Sequence, residues 1–324
     1  MGKIKISGSF TSLKLTLFKY KSVFVVYDRN VAQYVEKFAS GKPSLGITAD
    51  EEHKTMDTVL LICRWLMEQK ADRKCLVLAV GGGTTTDMVG FAASIYKRGV
   101  SYANIPTSLL AMIDAGIGGK TGVNLDSYKN MLGTFRQPEF TYICPPVLET
   151  LPPRELRSGA AEMLKTFIIR DDGNYEKAIV LFSEPFDFKL AEPLIKAAAK
   201  VKASIVRRDE FEKGPRRVLN LGHTYGHAIE WWQRTNNIEA PYNHGEAVAI
   251  GIIQAAVKSE EMGKAKQGLA DKLRTDFSYC GLPTQLPCSP EELEQAVAQD
   301  KKSEGSKLNF VFIKNIGNVC IDKI

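Results

Sequence analysis

The chain has 324 residues, 44% hydrophobic and 25% charged, with a formal net charge of +6. That composition describes a globular protein with room for one large or two ordinary domains. It excludes a bilayer-spanning helix, for which no apolar run is long enough. With its cations scattered singly it offers no basic stripe for nucleic acid either.

The N-terminal stretch through Val23 is basic but has no unbroken apolar core and no small-residue cleavage site, so no signal peptide is expected. Six scattered cysteines (Cys63, Cys75, Cys144, Cys280, Cys288, Cys320) form no CxxC pair and are expected as unpaired thiols of a reducing cytoplasm. Ser22–Tyr27 and Cys75–Val80 are continuous apolar runs, and Tyr102–Ile105 and Tyr142–Cys144 are shorter ones. Runs without alternation suit parallel strands covered on both faces, and Met56–Lys70 between them has helical periodicity. After Leu151-Pro152-Pro153 the pattern turns helical. It predicts helices over Arg154–Arg170, Lys189–Arg208, His223–Thr235, Glu246–Met262, Ala270–Cys280 and Pro290–Gln299. Leu308–Lys314 and Asn318–Asp322 flank Asn315-Ile316-Gly317 as a terminal hairpin. The expectation is an α/β, Rossmann-like domain with a parallel sheet over residues 1–152, then a mostly α-helical domain over 153–324.

Three of the chain's four histidines lie together, in GHTYGHAIE (His223, His227) and NHGEAVAIG (His244). Imidazole is the commonest neutral metal ligand, and His223 and His227 at i, i+4 share a helix face. Spacing alone makes both of them ligands, with His244 as a third, around an ion with an open position. Gly222 and Gly226 precede each of the pair and permit close backbone approach. Upstream, Gly81-Gly82-Gly83-Thr84 follows an apolar strand and enters a helix, where backbone N–H groups and the helix dipole could meet a pyrophosphate. Asp114–Gly122 ends in Gly-Lys-Thr, but Asp114 stands where the first P-loop glycine belongs. It reads as a glycine-rich anion site with Lys120 as point charge, a P-loop kinase being the weaker alternative. Glu162 and Lys165, at i and i+3, read by themselves as a surface helix pair, while apolar Ala160, Ala161, Met163 and Leu164 around them leave open a partly buried carboxylate, which would need a cation or metal. Arg98, Lys129, Lys202, Arg207, Arg208 and Asp300-Lys301-Lys302 read singly as solvated, and matter only for a strongly anionic ligand.

Taken in order, the stretches Gly81–Phe91, Pro106–Phe135, Leu151–Lys165 and Arg216–Glu230 resemble the 3-dehydroquinate synthases, and the resemblance runs from about Tyr27 to Lys302. It implies an NAD-binding domain followed by a metal-binding helical domain, with the active site in the cleft between them. By resemblance, Asp28, Glu51, Lys54, Gly82, Gly83, Thr84, Asp87, Thr107, Ser108, Asp114, Lys120, Lys129 and Thr150 contact the cofactor. Glu162, His223 and His244 become the ligands of a Zn²⁺ or Co²⁺ ion, and His227 becomes a substrate contact. Asp114, Lys120, Lys165, Lys202, Arg216, Asn220 and His227 match catalytic or substrate-binding positions. Arg98, Lys120, Asn130 and His227 match the substrate-phosphate site, Arg98 across a homodimer interface. Thr84 stands where the family usually has Val, and Ser108 where it usually has Thr. The implied reaction takes 3-deoxy-D-arabino-heptulosonate 7-phosphate, a sugar acid phosphate, to 3-dehydroquinate and phosphate. It does so by transient oxidation, β-elimination, re-reduction, ring opening and aldol closure. Other sugar phosphate cyclases and metal-dependent NAD alcohol dehydrogenases of related fold are the competing readings.

Overall fold

The continuous apolar runs become the inner strands of a parallel sheet. In a computed structural model that describes residues 2–126, 128–170, 173–304 and 309–323, the side chains of 299–304 excepted, the chain divides into two compact units, Met1–Pro152 and Pro153–Ile324. The first unit runs β1 (Lys3–Ile6), α1 (Thr11–Leu17), β2 (Val23–Asp28), α2 (Ala32–Ala39), β3 (Ser44–Ile47), α3 (Met56–Glu68), β4 (Leu76–Gly81), α4 (Gly83–Ile95), β5 (Ser101–Pro106), β6 (Lys120–Leu125), β7 (Tyr128–Phe135) and β8 (Phe140–Ile143). Among the described residues the main sheet is ordered β1-β8-β5-β4-β2-β3, every pairing parallel. Strand β4 is buried along its whole length, which is why its sequence shows no alternation.

The chain reverses its winding between β2 and β4, the place where open α/β sheets bind ligands beyond the carboxyl ends of their strands. Three such ends are neighbours there: Tyr27, which pairs with Val80, precedes Asp28, and Gly81 pairs with Pro106. The glycine-rich stretch Asp114–Gly122 does not run into a helix. Gly118 and Gly119, at φ 116° and 70°, turn the chain into β6, which pairs with β7 as an antiparallel hairpin. Lys120 therefore opens a strand, and the helix N-terminus a P-loop needs is not there, which removes the weaker P-loop alternative.

The second unit runs α5 (Pro153–Ile169), α6 (Tyr175–Ser183), α7 (Phe188–Arg208), α8 (His223–Thr235), α9 (His244–Glu261), α10 (Leu269–Tyr279) and α11 (Pro290–Glu304), then β9 (Asn309–Asn315) and β10 (Asn318–Lys323) as an antiparallel pair. Helix α9 is its centre, packed against α5, α8, α10 and β9. Its Ile250, Ile252, Ile253 and Val248 are fully buried. Ser259, buried on α9, accepts a hydrogen bond from the Ile313 backbone and ties the hairpin down. Arg216 and Asn220 do not extend α8 upstream. They lie on a separate 3-10 turn, Pro215–Asn220, cut off from α8 by Gly222 at φ 77°. The side chains of Asp300, Lys301 and Lys302 and the expected hairpin start at Leu308 lie outside the described residues. Among the described residues no helix is long and apolar enough to cross a membrane, and all six cysteines are free thiols.

Candidate functional site

Two of the clustered histidines begin their helices. His244 opens α9, started by a capping box: Asn243 Oδ1 accepts from Glu246 N at 3.0 Å, and Glu246 Oε2 accepts from Asn243 N at 2.8 Å. Arg154, at the start of α5, donates to the same Glu246 carboxylate at 2.6 Å and to the Pro241 carbonyl at 2.5 Å, which clamps this turn. His223 opens α8 behind Gly222.

The approach of the three helices is set by missing side chains. A Cβ on Gly251 of α9 would stand 2.0 Å from the Gly222 carbonyl oxygen, and one on Gly245 would stand 2.2 Å from the Ser158 carbonyl oxygen of α5. These contacts bring α8 and α5 against α9 at the level of the histidines. They also enclose Glu162 and Lys165, which are 0% and 1% exposed. The solvated pair expected from the i, i+3 spacing is thus a buried one, with Lys165 Nζ 2.5 Å from Glu162 Oε2.

Both imidazoles present Nε2 to the other carboxylate oxygen, with His223 at 3.8 Å and His244 at 3.6 Å from Glu162 Oε1. One ligand atom from each of the three residues falls within 4.8 Å of the others. His223 Nδ1 lies 3.1 Å from the Leu221 carbonyl, which can only accept, so the proton sits on Nδ1 and the Nε2 lone pair faces inward. Neither Glu162 oxygen has a partner in hydrogen-bonding geometry, the ion pair with Lys165 notwithstanding. A fully buried carboxylate left in that condition, facing two imidazole nitrogens, fits a divalent cation with two nitrogen ligands and one oxygen ligand. Burial would raise the Glu162 pKa, but Lys165, His223 and His244 hold it well below the usual carboxylate range. Burial, with Lys165 nearby, drives His223 well below its ordinary value. Burial would lower His244 too, but Glu162 and Glu230 outweigh it and push it up to about 10.

His227 stands apart from this group. It is exposed one turn beyond His223, its ring 5.3 Å from that of His223 and 6.4 Å from that of His244. The pairing of His223 with His227 read from spacing is corrected: the structure joins His223 to His244 and Glu162. Lys202 on α7 and Arg216 on its 3-10 turn are buried cations, and the Arg216 guanidinium donates to the Glu210 carbonyl. Asn220 donates to Glu212 at 3.0 Å. Arg207 and Arg208 are exposed, as expected. Glu230, which the sequence reading passed over, accepts from His244 Nδ1 at 3.3 Å. Its signal was present, since 223, 227 and 230 follow the i, i+4, i+7 face of one helix.

In the first unit several of the residues named for the cofactor follow the carboxyl ends of the main-sheet strands. Asp28 ends β2, Gly82 caps α4, Thr107 N donates to the Gly81 carbonyl at 2.9 Å, and Ser108 Oγ accepts from Ala111 N at 3.2 Å. Thr84 lies in the first turn of α4, and Asp114 in a short turn at Ala111–Ala115. Lys54 is buried and joins α4 to the β6–β7 hairpin, donating to Asp87 Oδ2 at 2.7 Å and to Asn130 Oδ1 at 2.6 Å. Asn124 bridges Asn130 N and Glu51 Oε1 at 2.8 and 2.9 Å. Burial raises the Asp87 pKa, with Lys54 pulling it back. Thr150 Oγ1 is engaged with the Tyr34 hydroxyl at 2.9 Å, while Lys120 and Lys129 stand exposed on the hairpin. Arg98 has a left-handed backbone at φ 66°. Lys54→Met should leave Asp87 without its cation and cost about 1–3 kcal/mol of stability at neutral pH. Denaturant titration checks this, and an unshifted midpoint would count against the ion pair.

Comparisons with known proteins point the same way. A family model described as 3-dehydroquinate synthase N-terminal matches residues 44–158, and one described as 3-dehydroquinate synthase C-terminal matches 159–303. A 3-dehydroquinate synthase of Acidithiobacillus ferrooxidans is 41% identical over 313 residues, covering 92% of this chain and 84% of the relative. Among solved structures, 2-epi-5-epi-valiolone synthase from Streptomyces hygroscopicus subsp. jinggangensis, with NAD⁺ and Zn²⁺ bound, superposes with a TM-score of 0.89 at 27% identity, covering 100% of this chain and 93% of its own. A 2-deoxy-scyllo-inosose synthase complexed with carbaglucose-6-phosphate, NAD⁺ and Co²⁺ gives 0.84 at 25% identity, covering 99% and 93%. The chain belongs to the 3-dehydroquinate synthase family.

Proposed function

We propose that the chain is a 3-dehydroquinate synthase, a lyase that converts 3-deoxy-D-arabino-heptulosonate 7-phosphate to 3-dehydroquinate and inorganic phosphate, using NAD⁺ and one divalent ion, Zn²⁺ or Co²⁺. The observation that carries this is the Glu162–His223–His244 group, with ligand atoms within 4.8 Å, in a chain 41% identical to a synthase of that name. When bound, the ion would acidify the substrate hydroxyls it touches, and NAD⁺ would accept a hydride and give it back.

The protein's own residues do the rest. Glu162 Oε1 and the two Nε2 atoms are the ligands, while Lys165 keeps Oε2 occupied and the carboxylate ionised. The N-terminus of α4 behind Gly82 offers backbone N–H groups to the dinucleotide pyrophosphate. Asp28, at the end of β2, lies at the ribose-binding edge of such sheets. Buried Lys202 and Arg216, already oriented by their surroundings, suit the two anionic groups of the substrate, its carboxylate and its phosphate. Lys120, Asn130, His227 and, across a homodimer interface, Arg98 are the phosphate contacts in this reading. Asp114 and Asn220 complete the polar set. His227, exposed and near the ion ligands without being one, is placed to hold phosphate or move a proton. Six free thiols suit a cytoplasmic enzyme.

His244, raised to about 10, holds a proton at neutral pH in the metal-free protein, and the ion must displace it. Apparent metal affinity should therefore rise with pH through the neutral range, by up to about tenfold per unit, and binding should release a proton. Competition with a chromophoric chelator at several pH values measures this, and a flat profile would refute it.

The function is tested by incubation with the heptulosonate phosphate, NAD⁺ and Zn²⁺. Inorganic phosphate should appear, chelator should suppress it, and no NADH should accumulate, because the hydride is returned. Phosphate release from sedoheptulose 7-phosphate or glucose 6-phosphate instead would make the chain another sugar phosphate cyclase. Net NADH would make it a dehydrogenase.

A further inference from the structure

We infer that Glu230 is a positioning residue for the metal centre: it holds the His244 ring by Nδ1, so that Nε2 faces Glu162 Oε1. The inference rests on the metal centre proposed above. Glu230 follows His223 and His227 on one face of α8 and reaches across to the first residue of α9, with Oε1 3.3 Å from His244 Nδ1. The other side of the same ring stands 3.6 Å from Glu162 Oε1. His244 thus bridges two carboxylates, one on each nitrogen.

The three inward-facing donors are not equally fixed. The Glu162 side chain is 1% exposed and the His223 side chain 16%, and His223 is also tied by Nδ1 to the Leu221 carbonyl. The His244 side chain is 37% exposed, so packing alone constrains its ring least. The Glu230 side chain, at 9%, is itself nearly enclosed. A carboxylate on Nδ1 does for His244 what the carbonyl does for His223. It keeps a proton on the outer nitrogen, so that the inner one is the nitrogen that yields its proton to an ion, and makes that nitrogen a stronger donor. It also couples the two histidine-bearing helices through a polar contact at the site, where the glycine contacts couple them through the backbone.

The test is metal retention in Glu230→Gln and Glu230→Ala. The parent protein is first loaded with Co²⁺, and its stoichiometry and visible spectrum are recorded. Excess chelator is then added and loss of the spectrum is followed. Loss of a partner that orients a metal-bound histidine costs about 10–100-fold in affinity. Glu230→Ala should therefore lose cobalt at least about tenfold faster, with an altered spectrum. Glu230→Gln keeps the volume and an acceptor but not the charge, and should fall between. If the alanine variant does not fold, the glutamine variant decides alone. A parent-like spectrum and a loss rate within about twofold of parent would overturn the inference while leaving the metal centre intact. A parent that binds no ion would overturn both.

Discussion

His223→Ala should lose its metal and its turnover together, and His227→Ala should keep the metal and lose turnover alone. His223 supplies one of three donors to a site whose carboxylate is buried without a directed hydrogen bond. Removing a donor outright should cost more affinity than the about 10–100-fold paid for an outer partner. With it goes several kcal/mol of charge stabilisation, a loss on the order of 10³-fold or more in rate. His227 is exposed and outside the cluster, so its loss should leave metal content near one per chain while kcat falls by about 10²–10⁴-fold. Metal analysis after gel filtration, beside steady-state phosphate release, separates the two. A His227→Ala protein that comes out metal-free would reverse the assignment of roles.

The second large effect concerns a residue that touches no ligand. In Gly251→Ala the new methyl carbon would lie 2.0 Å from the Gly222 carbonyl oxygen and 2.8 Å from the Gly226 amide nitrogen, both backbone atoms. No side chain can swing aside to admit it, so α8 must move away from α9. Overpacking of this kind costs about 1–3 kcal/mol and at times more. Here the moving helix carries His223, so metal affinity should fall as well. Gly245→Ala meets the Ser158 carbonyl oxygen at 2.2 Å and should act likewise on the spacing between α9 and Glu162. Gly8→Ala, with nothing within 4 Å, serves as the control and should leave the unfolding midpoint near parent. A parent-like midpoint and metal affinity in Gly251→Ala would mean that the α8–α9 approach does not set the site.

These contacts also explain what could be read from the sequence and what could not. The inner strands of the sheet were legible because burial on both faces writes itself as an unbroken apolar run, as in β4. The edge strands β1 and β3 were not. Each has four residues, and at the two edges of the sheet each is only partly buried, so neither forms such a run. The β6–β7 hairpin was hidden because the glycines just before it made Asp114–Gly122 read as an anion site, and because most of β7 is exposed.

At the site, the histidines announced metal chemistry, but spacing chose the wrong pair. Along one helix His227 is the natural neighbour of His223. The partner that packing supplies is His244, from a different helix. The apolar neighbours of Glu162 made its burial conceivable, but only resemblance to a family made it a ligand, since a Glu and a Lys three residues apart look the same in sequence whether a helix faces water or another helix. What buries them is the approach of α9 to α5 at Gly245, a tertiary fact. Glu230 is the opposite case: its place on the histidine face of α8 was readable, but the residue it serves lies on α9.

The central claim is that Glu162, His223 and His244 jointly hold one divalent ion. Anomalous diffraction at the zinc absorption edge, from crystals grown with Zn²⁺ and NAD⁺, tests it most directly. The expected result is a single peak about 2.0–2.2 Å from Glu162 Oε1, His223 Nε2 and His244 Nε2. A peak bonded to His227 in place of His244, or no peak among the three, would contradict it.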